Sequence, residues 1–160
     1  MTAVEDGLEV HSRRRVRSLL EDVNPVTPRH KRPASRPNPT AFAHLMERWP
    51  ASWAGLKADE APGRRLLDEL RPFIAYLIAE GLSTNTVRRH LDNLWAIGGE
   101  VIKRFNDEPE LRRRSARALL LDMTDLGEAP LLHHATQTGQ RSADATARKL
   151  LTFLLANKVN

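Results

Sequence analysis

The stretch LLDELRPFIAYLIAEGLSTNTVRRHLDNLWAIGGEVIKRF, residues 66–105, decides the fold of this chain. Its first half repeats apolar residues at intervals of three and four, which is the spacing of one helix face. These residues are Leu66, Leu67, Leu70, Phe73, Ile74, Leu77 and Ile78. Gly81 then favours a helix end, because glycine readily adopts the left-handed conformation that closes a C-terminus. The pattern predicts a long amphipathic helix that ends just before Gly81.

The second half of the stretch predicts another long helix, joined to the first by the turn Glu80-Gly81-Leu82-Ser83. Ser83 is a favourable N-cap, since its hydroxyl accepts from the free amides of a first turn. The apolar arc consists of Val87, Leu91, Leu94, Trp95, Gly98, Val101, Ile102 and Phe105. Gly98 and Gly99 each cost a helix about 1 kcal/mol relative to Ala. We therefore expect them to admit a closely packed neighbour or to mark a bend.

A short helix is predicted ahead of this pair. Thr40 is a suitable N-cap, and the helix covers residues 40–48 before the Trp49-Pro50 step ends it. Trp49 and Trp53 are expected to anchor the packing. Pro62 and Gly63 are expected to precede the next helix, and the rest of residues 51–63 carries no pattern that assigns its structure.

Two more helices are predicted after the pair. Asp107, with Glu110 three residues later, favours a helix start, and the helix is expected to span residues 107–126. Ser142 is expected to cap the last helix, whereas residues 129–140 are predicted to be a loop. The sequence thus predicts an all-α fold: a compact bundle of about five helices over residues 40–160.

Residues 1–39 are predicted to form a flexible, basic, Pro-rich arm. Between Val10 and Thr40 the chain has eight basic residues against Glu21 and Asp22, whereas the remainder is nearly neutral. The basic residues are Arg13, Arg14, Arg15, Arg17, Arg29, Lys31, Arg32 and Arg36. Residues 13–23 have the spacing of a short amphipathic helix. Such an arm either follows the backbone or a groove of DNA, or serves as a solubilising tail.

Composition narrows the class of protein. The chain has 160 residues, which suits one domain and a tail, and it contains no cysteine. Disulfides, thiolate metal sites and a thiol nucleophile are therefore excluded. The first ten residues lack an apolar run, and no run elsewhere is long enough to span a bilayer. We expect a soluble cytoplasmic protein.

Residues 73–94, FIAYLIAEGLSTNTVRRHLDNL, resemble the N-terminal core-binding domain of tyrosine recombinases, the phage-type integrases. The matching elements are an apolar helix that ends in Tyr-Leu, a Gly-Leu-Ser turn, and an Asn-Thr-Val-Arg-Arg helix start. The resemblance covers about a third of the chain. It implies a bundle of four or five helices that grips one side of duplex DNA, mainly through phosphates.

The chain departs from that family in the catalytic residues. No set of Arg, His-x-x-Arg and Tyr follows the matched segment, and the only tyrosine, Tyr76, lies within an apolar helix. The resemblance therefore implies a core-binding module that stands alone and does not cleave DNA. Residues 82–91 also resemble the turn and second helix of a helix-turn-helix, but the flanking helices are longer than that motif uses.

The helix after Ser83 carries the predicted DNA-binding residues. Asn85, Arg89, Asn93 and Lys103 are expected to point away from the apolar arc, with Thr86 at the helix start and Arg88 and Arg104 on the flanks. Such side chains neutralise phosphates or reach base edges. The alternative is an ordinary solvated face, in which Arg88 pairs with Asp92 and Glu100 with Arg104.

A second basic cluster is predicted on the following helix. It consists of Arg112, Arg113, Arg114 and Arg117. The cluster either extends a track of phosphate contacts or is simply solvated beside Glu108 and Glu110.

Other kinds of site have little support in the sequence. The doublet His133-His134 has no further ligands at a suitable spacing, and no nucleophile elbow or Gly-rich phosphate loop is present. We therefore predict no metal, no cofactor and no enzyme activity. Two functions remain: a non-catalytic DNA-binding protein, or a protein-interaction module whose N-terminal arm folds onto a protein partner.

Overall fold

A computed structural model describes residues 35–158, and the regular secondary structure of this part of the chain is all helical, without a strand. Five of its helices have eight residues or more, as predicted. The helices are α1 (Pro39–Met46), α2 (Trp49–Trp53), α3 (Glu60–Ala79), α4 (Thr84–Lys103), α5 (Ala116–Thr124) and α6 (Gln137–Ala156). Short 3-10 segments cover Lys57–Asp59, Arg104–Asn106 and Pro109–Arg113. The predicted arm residues 13–23 and the basic residues up to Lys31 and Arg32 lie outside the described part.

The pair α3–α4 forms the centre of the bundle and confirms the predicted helical hairpin. Gly81 has a φ of 75°, the left-handed conformation that reverses the chain. The hydroxyl of Ser83 accepts a hydrogen bond from the amide of Thr86 and so caps α4. The start of α3 differs from the prediction, because Pro62 and Gly63 lie inside its first turns instead of ahead of it. Proline fits there, since the first helical amides have no partner in the helix.

The core lies between these two helices and their neighbours. Large side chains that are fully buried come from α3, α4, α5 and α6. They include Phe73, Leu77, Leu91, Leu94, Leu120, Leu150 and Leu154. Trp49 and Trp53 are buried as predicted, and their rings lie 5.6 Å apart.

Gly98 admits the closely packed neighbour that the sequence led us to expect. A Cβ atom at this position would lie only 2.3 Å from Cζ2 of Trp53. Trp95, which we placed in the buried arc, is instead 46% exposed. Its ring lies at the edge of the arc beside α2, where its indole nitrogen donates to the Ser52 hydroxyl.

The N-terminal boundary of the bundle lies earlier than predicted. Asn38, not Thr40, caps α1, because its side chain accepts from the amides of Thr40 and Ala41. The carbonyl of Ser35 accepts hydrogen bonds from both the amide and the hydroxyl of Thr84. The Trp49-Pro50 step begins α2 instead of ending the first helix cleanly.

The prediction of a single helix over residues 107–126 is wrong. A 3-10 segment, Pro109–Arg113, comes first, and Ser115 then starts α5 by accepting from the amide of Ala118. Serine competes with a continuous helix because its hydroxyl satisfies the amides of a new first turn. The last helix likewise starts early: its N-cap is Thr136, six residues before the predicted cap Ser142, which lies inside the helix.

Candidate nucleic-acid interface

The predicted DNA-binding face of α4 is exposed over part of its length. Asn85, Arg88, Arg89 and Lys103 are all accessible to solvent. Thr86 is half-buried, and its hydroxyl lies 2.9 Å from the hydroxyl of Ser83 at the helix start. The accessible residues of the predicted set are therefore three basic residues and one amide, and the exposed carboxylate of Asp92 lies on the same face of the helix.

Asn93 does not belong to that face. Its amide nitrogen donates to the hydroxyls of Ser142 at 3.0 Å and Thr146 at 2.9 Å, both on α6. The ring of His90 joins the same contact, with Nδ1 lying 2.8 Å from the Thr146 hydroxyl. Asn93 lies on the flank of α4 that packs against α6. It holds two helices together and is unavailable for base contacts.

Arg104 also has partners within the protein. Its guanidinium pairs with Glu108 at 3.2 Å and contacts the sulfur of Met123. The predicted partner was Glu100, one turn earlier. The 3-10 segment that follows α4 brings Glu108 within reach instead.

The second basic cluster is divided between structural and exposed residues. Arg112 pairs at 2.8 Å with Asp59, which is 1% exposed, and covers the ring of Phe105. Arg117 pairs with Glu69 at 3.0 Å and donates to backbone carbonyls at the end of α6. These two arginines fix the bundle and do not extend a phosphate track.

The other two members of the cluster lie at the surface. Arg114 pairs with Asp122 on α5. Arg113 is exposed and forms no ion pair among the described residues. Of the four predicted residues, Arg113 alone is free to contact an external anion.

A cleft between α1 and α4 brings together basic residues that are distant in sequence. Arg88 of α4, His44 of α1 and Arg48, in the turn between α1 and α2, line a space of about 280 Å³. Ala41, Phe42 and Leu45 supply its apolar wall. We call this feature the α1–α4 cleft. The sequence analysis named Arg88 but missed His44 and Arg48, because only the packing of α1 beside α4 joins them.

No acidic side chain lines the α1–α4 cleft, so its arginines are not neutralised there. Glu47, adjacent to Arg48, turns away to bind Arg71 at 2.6 Å and Arg64 at 3.8 Å. The hydrogen bond from Arg71 and its charge lower the pKa of Glu47. In the part of the chain that the structure describes, neither Arg48 nor Arg88 has an ion-pair partner within 4.0 Å, so the predicted pair of Arg88 and Asp92 does not form.

The chemistry available in the cleft is the binding of an anion. Two guanidinium groups present several donors in planar arrays that match phosphate oxygens, and an imidazole adds a donor beside them. Within residues 35–158, no group of three or more His, Asp and Glu side chains is placed to hold a metal ion. No helix in the same range is long and apolar enough to cross a membrane.

No protein-family model, no curated protein and no solved structure matches this chain.

Proposed function

We propose that this chain is a non-catalytic DNA-binding protein that grips duplex DNA through phosphate contacts centred on the α1–α4 cleft. The observation that carries the proposal is that Arg48, in the turn between α1 and α2, and Arg88 of α4 line one cleft that no carboxylate lines. Both guanidinium groups are exposed and have no ion-pair partner among the described residues. A phosphate that enters the cleft can therefore accept hydrogen bonds from either group.

The exposed face of α4 extends the contact region away from the cleft. Arg89 and Lys103 lie two heptads apart on the helix, about 21 Å at 1.5 Å per residue. That span is comparable to several successive phosphates of one strand. Asn85, in the first turn of α4, is the exposed amide closest to the cleft along the helix and is the candidate for reading a base edge.

The resemblance to the integrase core-binding domain supports the same function. Two of its matching elements, the Gly-Leu-Ser turn and the Asn-Thr-Val-Arg-Arg helix start, lie between Gly81 and Arg89 and include Arg88. The proposal narrows the predicted DNA-binding set, because Asn93, Arg104, Arg112 and Arg117 have internal partners. The basic arm, outside the described residues, remains part of the proposal as a source of further phosphate contacts.

Binding of a fluorescent 30-base-pair duplex, followed by anisotropy at low salt, tests the proposal. We expect the wild-type chain to bind and the double variant Arg48→Ala, Arg88→Ala to bind at least tenfold more weakly. Arg141→Ala is the matched control, because Arg141 is equally exposed but lies on α6. Equal affinity of the double variant and the wild type, with both folded by circular dichroism, would contradict the placement of the site.

A further inference from the structure

A second surface feature is formed by α3 and α6. It is an open groove of about 710 Å³ between the C-terminal halves of α3 and α6. Tyr76 and Phe153 form its apolar part, and Arg148 and Lys149 lie at its edge. We call it the α3–α6 groove. None of these residues contributes to the α1–α4 cleft.

The floor of the groove is aromatic and incompletely covered. Tyr76 remains 39% exposed although its ring lies 5.3 Å from the ring of Phe153, which in turn packs on buried Phe73. Ala145, Thr152 and Ala156 of α6 add small side chains to the lining of the groove. A partly exposed aromatic pair in a concave surface is typical of a site that another apolar group covers.

The edge of the groove has a single sign of charge. Arg148 and Lys149 line it, and no acidic residue does. Neither cation forms an ion pair among the described residues. The stem of Arg148 packs beside Gly127, at the turn after α5, which holds the guanidinium near the edge. The complementary partner is therefore acidic.

This charge pattern disfavours the simplest alternative, a symmetric dimer with its twofold axis at the edge of the groove. Such a contact would bring the Arg148 and Lys149 pair of one copy close to the same pair of the other. Like charges brought together at an interface oppose association. A membrane surface is also a poor match, because membrane-binding helices insert a protruding apolar face and this surface is concave.

We propose that the α3–α6 groove binds an acidic amphipathic helix of another protein. Two turns of such a helix place apolar side chains at i, i+3 or i+4, and i+7 over Tyr76 and Phe153. Its Asp or Glu side chains, on the flank of that stripe, pair with Arg148 and Lys149. No residue that lines the groove lines the α1–α4 cleft. The inference therefore does not rest on the proposed phosphate contacts in that cleft.

Selection from a displayed library of random 12-residue peptides against the full-length chain tests this inference. We expect the selected peptides to combine apolar residues at helical spacing with Asp or Glu. By fluorescence anisotropy, the variant Arg148→Glu, Lys149→Glu should bind them at least tenfold more weakly than the wild type. The cleft variant Arg48→Ala, Arg88→Ala is the matched control and should bind them normally.

Three outcomes would overturn the proposal. In the first, the library yields no binder. In the second, the selected peptides are not enriched in Asp or Glu, or they bind the Arg148→Glu, Lys149→Glu variant as tightly as the wild type. In the third, that variant loses binding to duplex DNA or to phosphatidylserine vesicles, which would assign Arg148 and Lys149 to DNA or to a lipid surface.

Discussion

Arg112 and Arg113 are neighbours in the chain, but their environments differ completely. The guanidinium of Arg112 is bound to the buried carboxylate of Asp59, whereas that of Arg113 is exposed to solvent. Burial alone would raise the pKa of Asp59, but hydrogen bonds from the Leu56 amide, from Arg112 and from the Gly55 amide lower it below its ordinary value. The folded state thus holds Asp59 charged, and Arg112 is part of what makes this possible.

The substitution Arg112→Ala should destabilise the fold by about 3–5 kcal/mol, because it leaves Asp59 buried without its cation. Arg113→Ala is the matched control and should change the free energy of unfolding by no more than about 0.5 kcal/mol. Urea unfolding at pH 7 measures both. Since the lowered pKa of Asp59 contributes stability that is lost as the pH falls through it, the difference should shrink in acid. Similar stabilities of the two variants at pH 7 would contradict this role for Arg112.

His90 is buried in a network that favours its neutral form. The Thr146 hydroxyl donates to the Ser142 carbonyl, so it accepts from Nδ1 of His90 and from the amide of Asn93. Burial lowers the pKa of His90, and the nearby charges of Lys149 and Arg89 lower it further. Below the ordinary histidine pKa, the unfolded chain therefore binds a proton that the folded chain does not.

Stability should accordingly fall as the pH drops below about 6.5, by at most about 1.4 kcal/mol per pH unit from this group. Urea unfolding at pH 7.5 and 5.5 gives the loss for the wild type. His90→Gln removes the titrating ring and should reduce the loss, whereas His44→Gln, at an exposed position, should retain it. An unchanged loss in His90→Gln would show that another group is responsible.

At the scale of the elements, α3 and α4 were predictable because all their signals agree. Apolar spacing, Gly81 as C-terminal signal and Ser83 as N-cap each point to the same hairpin. The prediction of one helix over residues 107–126 was wrong because the segment contains two signals for a helix start, Pro109 with Glu110 and then Ser115. The sequence alone does not show which signal begins the α-helix, since the choice depends on tertiary packing around buried Leu111.

The contact between α2 and α4 depends on the absence of a side chain at Gly98. Gly98→Ala would place a methyl group 2.3 Å from the Trp53 ring, and should destabilise the fold by about 1–3 kcal/mol despite the better helix propensity of Ala. Gly99→Ala is the control, because its methyl group would meet Trp53 at an ordinary 3.5 Å. Thermal unfolding of both variants checks this. Equal stability would mean that α2 shifts freely on α4.

At the scale of the whole molecule, the proposed function depends on where the exposed charges lie. The sequence predicted only part of that distribution. Exposure of Asn85, Arg89 and Lys103 followed from helical periodicity alone. The ion pairs of Arg112 with Asp59 and of Arg117 with Glu69 could not be predicted in this way, because the partners are roughly 50 residues apart in the chain. The α1–α4 cleft was missed for the same reason, since Arg48 and Arg88 meet only through tertiary packing.

The salt dependence of duplex binding tests the central claim most directly. Each phosphate contact contributes about 0.9 to the slope of log K against log salt concentration. Between 50 and 200 mM salt, we predict a steep decline for the wild type and a slope about 2 units shallower for Arg48→Ala, Arg88→Ala. A wild-type affinity that does not change with salt, or an identical slope for the double variant, would contradict phosphate binding at the α1–α4 cleft.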